Sequence, residues 1–527
     1  MNRNKTTSDL ETPKQSIPVD DTLSSEALVS SLCSTTAYPR SFPPPVVMHE
    51  THISWVFLAG DVAYKIKKPI QTGFLDYSTL AKRHRFCQEE IRLDSRYTED
   101  LYIAVVPVTL TQGRVCMEGS GKPIEYAVKM RRFPEDALLS RRLDLGLLSS
   151  AALHRLSEEI AQFHQLADCW KNDGDMNRVQ FATPSIIERD FVDCLNDLGQ
   201  GVVASDSIEC QTLSEWATQF LAGHRDMFDD RRHDGYIREC HGDLHLGNVV
   251  QLGERLVPFD GIEFNEHFRW IDVLNDVAFL VMDFVSRGHT DFAFQFLNRY
   301  LERTGDYKAL PLLRWYLVYR SLVRAKVAAI CASQHPSDDA EPRYDCLDHL
   351  SLAVQFTRPE TPCLWIMHGL SGSGKTTASE MYIREKGAIR VRSDLERKRM
   401  FQLEPTHRPT GRLRARMYED AATDQTYERL RDSARSILDG GFSCIVDATF
   451  LKQKHRESFH ELAGETSAHW AIVDCRLDEE TLRRRIIDRA SAGYDASDAD
   501  IDVLNRQIAT QEPLTVDEKM NLIRPAT

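Results

Sequence analysis

His241-Gly-Asp-Leu-His-Leu-Gly-Asn248 carries a histidine, an aspartate and an asparagine at the spacing HxDxxxxN, and Phe259-Asp260-Gly261 follows after a span able to form a short two-stranded ribbon. Phosphoryl transfer calls for this order of groups. Asp243 can orient and deprotonate an acceptor hydroxyl, while Asn248 and Asp260 can hold Mg2+ against the phosphates of ATP. Singly, each of these residues is a common turn or cap residue; the joint spacing is what points to chemistry. A cation for the α and β phosphates is expected upstream. In Val62-Ala-Tyr-Lys65-Ile-Lys67 the strand period of two puts Lys65 and Lys67 on one face, and either could reach the phosphates. Glu89 and Glu90 lie on the next predicted helix as partners for that lysine, and Lys65 with Glu90 is the preferred pair.

A second set of residues lies about 130 positions further on. Gly369-Leu-Ser-Gly-Ser-Gly-Lys-Thr-Thr fits GxxxxGK[ST] and stands between the apolar run CLWIMH and the helical run TTASEMYIREKG, where a phosphate-binding loop must stand. Gly369, Ser371, Gly372, Ser373 and Gly374 form the loop whose N–H groups would surround phosphate oxygens. Lys375 would reach the β and γ phosphates, Thr376 would ligate Mg2+, and Thr377 follows at the helix start, where the helix dipole favours an anion. Asp394, in VRSDLERKR, and Asp447, in IVDATF, end the next two strands. The first could take a proton from an acceptor or cap the helix after it, and the second could organise Mg2+. Arg483, Arg485 and Arg489 share one basic helix, the last two at i, i+4; they read as a lid over the transferring phosphoryl group or as a solvated face.

The elements needed to position these groups are legible as blocks. Residues 1–45 read as a polar tail with one short helix, LSSEALVSSL. Residues 46–133 read as a small sheet with one helix: ISWVFLAG and DVAYKIKK form a hairpin about a Gly-Asp turn, STLAKRHRFCQEEIRLDSRY is helical, and LYIAVVPVTL and IEYAVKMRRF are strands. No GxGxxG is available to cover phosphates, and that hairpin has only the turn Ala59-Gly60-Asp61. Residues 134–356 are mainly helical around the HGDLHLGN segment. Residues 357–362 are a linker, and 363–527 alternate strand and helix in the rhythm of a parallel sheet. Each half holds its own phosphate, metal and base candidates, so the two are expected to be separate folding units joined near Arg358 to Pro362.

At 527 residues, with 42% hydrophobic and 27% charged residues, the chain has the composition of an ordinary globular protein of several compact units. Its formal net charge of −14 argues against nucleic acid and anionic membranes as partners. The 12 cysteines form no CxxC pair and read as reduced thiols of a cytoplasmic protein. Neither a secretory signal nor an apolar run near the roughly 20 residues of a membrane span is present.

Two resemblances add to this reading. From about Val46 to Phe356 the chain resembles the aminoglycoside phosphotransferase-like family, above all its uncharacterised bacterial branch, through HISWVFLAGDVAYKIKKP, FCQEEIRLDSR, LYIAVVPV, HGDLHLGNVV and FDGIEF. This implies an α+β, bilobal, protein-kinase-like fold with an adenine-binding hinge near Met130 to Phe133. It also implies that Asp272 and Asp276 brace the catalytic loop. From about Thr361 to Pro513 the chain resembles P-loop kinases of the AAA_33 type, near gluconate kinase, zeta-toxin-like kinases and polynucleotide 5′-kinase, through GLSGSGKTT, VRSDLERKR and VDATF. This implies an α/β P-loop fold, nucleotide on Lys375 and Thr376, Asp394 as base and Arg397 as a substrate or phosphate contact. Together these imply an ATP- and Mg2+-dependent bifunctional phosphotransferase acting on small-molecule hydroxyl acceptors. The alternatives are a nucleotide-gated regulatory protein and, for the last module, a nucleic-acid 5′-end kinase, which the overall acidity opposes. The acidic tracts DMFDDRRHDG and RLDLG could help hold a cationic acceptor at the first site or be solvated loops.

Overall fold

The computed structural model describes residues 23–98, 100–171, 179–199, 202–204, 206–334, 341–492 and 500–524. The chain begins with α1 (Ser25–Leu32), whose N-cap Ser24 accepts a hydrogen bond from Ala27 N–H. Six strands then build an antiparallel sheet: β1 (Val47–Glu50), β2 (Ser54–Ala59), β3 (Val62–Lys67), β4 (Tyr102–Thr111), β5 (Arg114–Met117) and β6 (Pro123–Arg131), with α2 (Leu80–Asp94) between β3 and β4. Their spatial order is β1-β2-β3-β6-β4-β5. Alternation along β3 divides its side chains. Tyr64 and Ile66 join Trp55 and Phe57 in an apolar layer closed by Leu28 and Leu32 of α1, so this helix belongs to the small lobe's core rather than to a tail. Ala63 faces the opposite way, toward Cys87 of α2 and Val128 and Met130 of β6, and the period of two sends Lys65 and Lys67 to that side.

The second lobe holds α3 (Leu139–Asp144), α4 (Ser150–Leu166), α5 (Pro184–Gly199), α6 (Ile208–His233), β7 (Ile237–Glu239), β8 (Val249–Leu252), β9 (Arg255–Pro258), α7 (Glu266–Arg269), β10 (Trp270–Asp272), α8 (Val273–Ser286), α9 (Thr290–Thr304), α10 (Leu310–Gln334) and α11 (Glu341–Phe356). Strands β8 and β9 pair as an antiparallel ribbon, and β10 pairs with β7. Helix α8 is apolar on all sides and buried from Val273 to Phe284. Its two buried acids, Asp276 and Asp283, therefore need partners.

After the linker come β11 (Cys363–His368), α12 (Lys375–Lys386), β12 (Ile389–Arg392), α13 (Ser393–Met400), α14 (Gly411–Met417), α15 (Asp420–Asp439), β13 (Cys444–Asp447), α16 (Gln453–Glu465), β14 (His469–Asp474), α17 (Glu479–Ala492), α18 (Ile501–Thr510), α19 (Val516–Met520) and β15 (Leu522–Ile523). The five strands run parallel in the order β12-β13-β11-β14-β15. The fold is thus an α+β bilobal, protein-kinase-like unit followed by an α/β P-loop unit.

The halves meet over a buried face. Asn298 of α9 donates through Nδ2 to Ala388 O at 2.9 Å and accepts from Arg390 N–H at 2.6 Å. Tyr307 OH donates to Arg390 O at 3.1 Å, and the Arg314 guanidinium of α10 donates to Gly440 O and Gly441 O at 3.2 and 3.1 Å. One apolar core runs through both, from Leu280, Phe296 and Leu313 to Leu364, Ile389 and Ile437.

Candidate active sites

A cleft of ≈ 1660 Å³ separates the small sheet from the helical lobe, and Lys65, Glu90, Asp243 and Asp260 all line it. The stretch Met130 to Phe133, at the end of β6, borders the same space. Glu90 accepts from both lysines: Lys65 Nζ lies 3.0 Å from Oε1, and Lys67 Nζ lies 2.6 Å from Oε2. The lysines then part. Lys65 also contacts the Asp260 carboxylate at the cleft, whereas Lys67 is fully buried and pairs with Glu263, which also accepts from Tyr77 OH. Burial opposes the charge on Lys65, but Asp260 and Glu90 outweigh it and keep the ammonium protonated well above the usual range. Burial likewise works to raise Glu90, and the two lysines reverse this and hold it ionised. Glu89 points elsewhere, to Arg92 at 2.7 Å and Arg269 at 3.0 Å.

The loop that carries Asp243 is held by backbone contacts. Asp276 of α8 accepts from the N–H groups of His241 and Gly242 at 3.0 and 2.9 Å. His241 Nε2 lies 2.9 Å from Phe259 O, while its Nδ1 accepts from Asp243 N–H at 3.2 Å, a pattern that needs the neutral Nε2–H ring. Burial lowers the His241 pKa, which favours that form. Asn248 Nδ2 donates to Asp243 Oδ2 at 2.9 Å, and His245 Nε2 stands 3.4 Å from the same oxygen. Burial would raise the Asp243 carboxyl, but His245 holds it well below the usual carboxylate range. Asp272 does not touch the loop; it binds Arg231 at 2.5 Å and caps α8 through Leu274 N–H.

Three supporting residues stand outside the catalytic spacings. Asp283 accepts from Leu246 N–H at 2.8 Å, Asp94 accepts from Gly261 N–H at 2.9 Å, and Tyr102 OH accepts from Asp260 N–H at 3.0 Å. The last two hold Asp260 in left-handed backbone, φ 63°, a conformation that Asp tolerates better than most residues. The turn at the cleft also differs from expectation. Strand β1 precedes the hairpin read from the sequence, so Thr51-His52-Ile53, between β1 and β2, lines the cleft, whereas Gly60 packs against Phe42. His52 Nε2 stands 3.0 Å from Cys331 Sγ on α10, across the space between the lobes.

The second cleft, of ≈ 1680 Å³, lies at the carboxyl ends of β11, β12 and β13, and residues 371–377, Asp394, Arg397, Asp447 and Arg485 line it. The loop's glycines are required by shape. A Cβ on Gly369, at φ 148°, would meet Cys475 O at 2.3 Å, and Gly372 and Gly374 have φ of 85° and 87°. Lys375 Nζ donates to Gly369 O and Leu370 O at 3.1 and 2.8 Å. Thr376 Oγ1 donates to Asp447 Oδ2 at 2.7 Å, which places a hydroxyl and a carboxylate together as hard oxygen donors suited to Mg2+. Among the described residues, Ser373 Oγ is buried in the loop without a hydrogen-bond partner, as fits a loop built to meet a phosphate. The first cleft offers the carboxylates of Asp243 and Asp260, with Asn248 bonded to Asp243 and 41% of the Asp260 side chain exposed.

Asp394 sits inside the first turn of α13, whose N-cap is Arg392, so it is not the cap residue. Arg397 donates to Met417 O at 2.6 Å and lies 4.6 Å over the Tyr418 ring. Arg483 and Arg485 of α17 part: Arg483 is held on Glu479 and Asn505, both at 2.7 Å, while Arg485 reaches the P-loop beside Gly374. The side chain of Arg489 lies outside the described residues. Gln507 of α18, unmarked by any motif, accepts from Ser371 N–H at 2.9 Å. Of the two acidic tracts, the cleft lining includes neither; Asp190, Asp193 and Asp197 of α5 face it instead.

Residues 364–514 match AAA_33, an AAA domain. Over 469 residues the chain is 30% identical to the uncharacterized protein Rv2004c of Mycobacterium tuberculosis, covering 88% of this chain and 90% of that protein. The same figures, 30% over 469 residues, hold for the uncharacterized protein Mb2027c of Mycobacterium bovis. Among solved structures, a choline/ethanolamine kinase family protein from Mesorhizobium loti is similar at 14% identity and a TM-score of 0.36, over 62% of this chain and 99% of that one. A gluconokinase from Sinorhizobium meliloti 1021 is similar at 18% identity and a TM-score of 0.22, over 31% of this chain and 82% of that one.

Proposed function

This chain belongs to the family of the mycobacterial protein Rv2004c, which shares it across both halves, and on that premise we propose a bifunctional ATP-dependent phosphotransferase with two separate sites. The observation that carries the reading is the convergence of Lys65, Glu90, Asp243 and Asp260 on one cleft, with Asn248 bonded to Asp243 from behind and a phosphate loop lining another. At the first site Lys65, kept charged by Glu90, binds nucleotide phosphates. Asp243, ionised and oriented by Asn248, takes the proton of an acceptor hydroxyl. Asp260 and Asn248 would hold Mg2+ there, and Thr376 with Asp447 would hold it at the second site. When bound, Mg2+ neutralises charge on the β and γ phosphate oxygens.

At the second site the N–H groups of residues 369–376 and Lys375 bind phosphates, Asp394 serves as the base and Arg485 closes over the transferring group. The acceptors at both sites are small hydroxylated molecules. Among the described residues no helix is long and apolar enough to cross a membrane, which is compatible with action in the cytoplasm.

The test is a screen of a metabolite pool for ATP-dependent phosphorylated products, run with the parent chain, Asp243→Asn and Lys375→Ala. Each variant should lose a different product. At the first site Asp260→Ala should weaken Mg·ATP binding, whereas Asp243→Asn should leave binding nearly intact and abolish transfer. Identical product sets from parent and both variants would overturn the assignment.

A further inference from the structure

The P-loop helix is anchored from outside its own module. Arg390, on β12 beside α12, is 3% exposed, and its guanidinium faces two ways. Toward the P-loop, Nη1 donates to Thr376 O at 3.4 Å, to Ser379 Oγ at 3.1 Å and to Glu380 Oε2 at 3.2 Å. Ser379 Oγ in turn donates to Thr376 O at 2.9 Å, so the first turn of α12 is tied to this one guanidinium. On its other side Arg390 binds Glu302 of α9, through Nε at 2.8 Å and Nη2 at 2.6 Å. Glu302 belongs to the helical lobe and is itself 3% exposed. Arg299, at 3.1 Å, completes its surroundings, and burial, which would raise its pKa, is outweighed by Arg390, Arg392 and Arg299.

A guanidinium is planar and presents its donors in a fixed fork, so its aim is set by whichever carboxylate fills the far edge. Among these contacts, Glu302 occupies that edge. Glu380 meets only Nη1, the nitrogen already turned to the helix, and cannot orient the fork alone. Thr376 and Lys375 lie in the turn that Arg390 ties down, and Thr376 also holds Asp447.

We propose that Glu302 is a positioning residue for the P-loop site: by aiming Arg390 at the first turn of α12, the kinase-like module sets the geometry in which the second module binds Mg·ATP. The proposal rests on the reading of that site as a nucleotide site. It also gives the interface a role beyond cohesion, because an ion pair that served only to join the modules would have no reason to end on the P-loop helix.

The test uses the full chain and Mg·ATP. Calorimetry in an Asp260→Ala background reports the second site, and in a Lys375→Ala background reports the first. Glu302→Gln and Arg390→Lys should each weaken Mg·ATP at the second site by roughly tenfold to a hundredfold, the loss expected of one charge-assisted contact. Affinity at the first site should stay within about twofold, a change too small to reflect a lost contact. Unchanged affinity at the second site in Arg390→Lys, which keeps the charge pair but not the fork, would overturn the proposal. So would an equal loss at both sites, which would make Glu302 a stabiliser of the whole chain. If Asp260→Ala alone shows no binding at the second site, the nucleotide reading of that site falls, and this proposal with it.

Discussion

Two lysines two residues apart on β3 do different work, and the difference is one of access rather than charge. Lys67 is fully buried between Glu90 and Glu263, while Lys65 meets Asp260 at the cleft. Lys67→Ala strips Glu263 of its lysine and leaves Glu90 on Lys65 alone; breaking such a buried pair costs about 3–5 kcal/mol, so urea unfolding should shift strongly. Lys65→Ala leaves Glu90 paired with Lys67; its main effect should be a loss of Mg·ATP affinity at the first site, with the smaller change in unfolding. Equal unfolding shifts in the two variants would contradict this division. At this scale the candidate residues that the two clefts bring together were legible because HxDxxxxN, GxxxxGK[ST] and the strand alternation fix them locally. Asp94, Asp283 and Gln507 were not, because each supports a backbone N–H more than 30 positions away, and sequence spacing carries no trace of that.

At the scale of elements, the loop bearing Asp243 depends on one glycine. Gly242 has φ 84°, and a Cβ there would meet Phe268 O at 2.5 Å, so both backbone strain and a clash act against substitution. Gly242→Ala should cut transfer at the first site by about a hundredfold or more, the scale of a misplaced catalytic group, while the P-loop site keeps its nucleotide affinity. Steady-state kinetics with the acceptor found in the screen, beside calorimetry at the second site, measures both. Most helices and central strands could be read from periodicity. Strand β1 could not, since Val47-Met-His-Glu50 is short, mostly exposed and follows a proline run, and with it the β1–β2 turn that lines the first cleft went unread. Helix α9 misleads in another way. Gln295, Asn298 and Glu302 recur at helical spacing, a polar stripe that reads as a solvent face, yet all three are buried. Asn298 and Glu302 lie against β12, nearly a hundred positions later in the chain.

For the whole molecule, the linker Arg358 to Pro362 marks a change of architecture, yet one apolar core crosses it. Fragments 23–357 and 358–524, made apart, should be poorly soluble or partly unfolded, and should recover soluble assembly and Mg·ATP binding when co-expressed; size-exclusion chromatography and calorimetry check this. Two fragments that are each well folded and fully active alone would refute it. The same face sets an acid limit. Glu302 has its pKa lowered to about 2 in the folded chain, against an ordinary value of 4.5. Its contribution to stability is therefore complete above about pH 4.5 and is lost as the pH falls toward 2. Glu302→Gln should flatten the fall of Tm across that window, and an unchanged slope would exclude this residue as a source of acid sensitivity. The contact of His52 with Cys331 spans the mouth of the first cleft, joining the β1–β2 turn to α10. On the reading of this cleft as a nucleotide site, a spent nucleotide that leaves between these two elements would have to part this contact. Turnover at the first site would then follow the tempo of release rather than of bond making, and added viscogen should slow kcat more than it slows a single transfer.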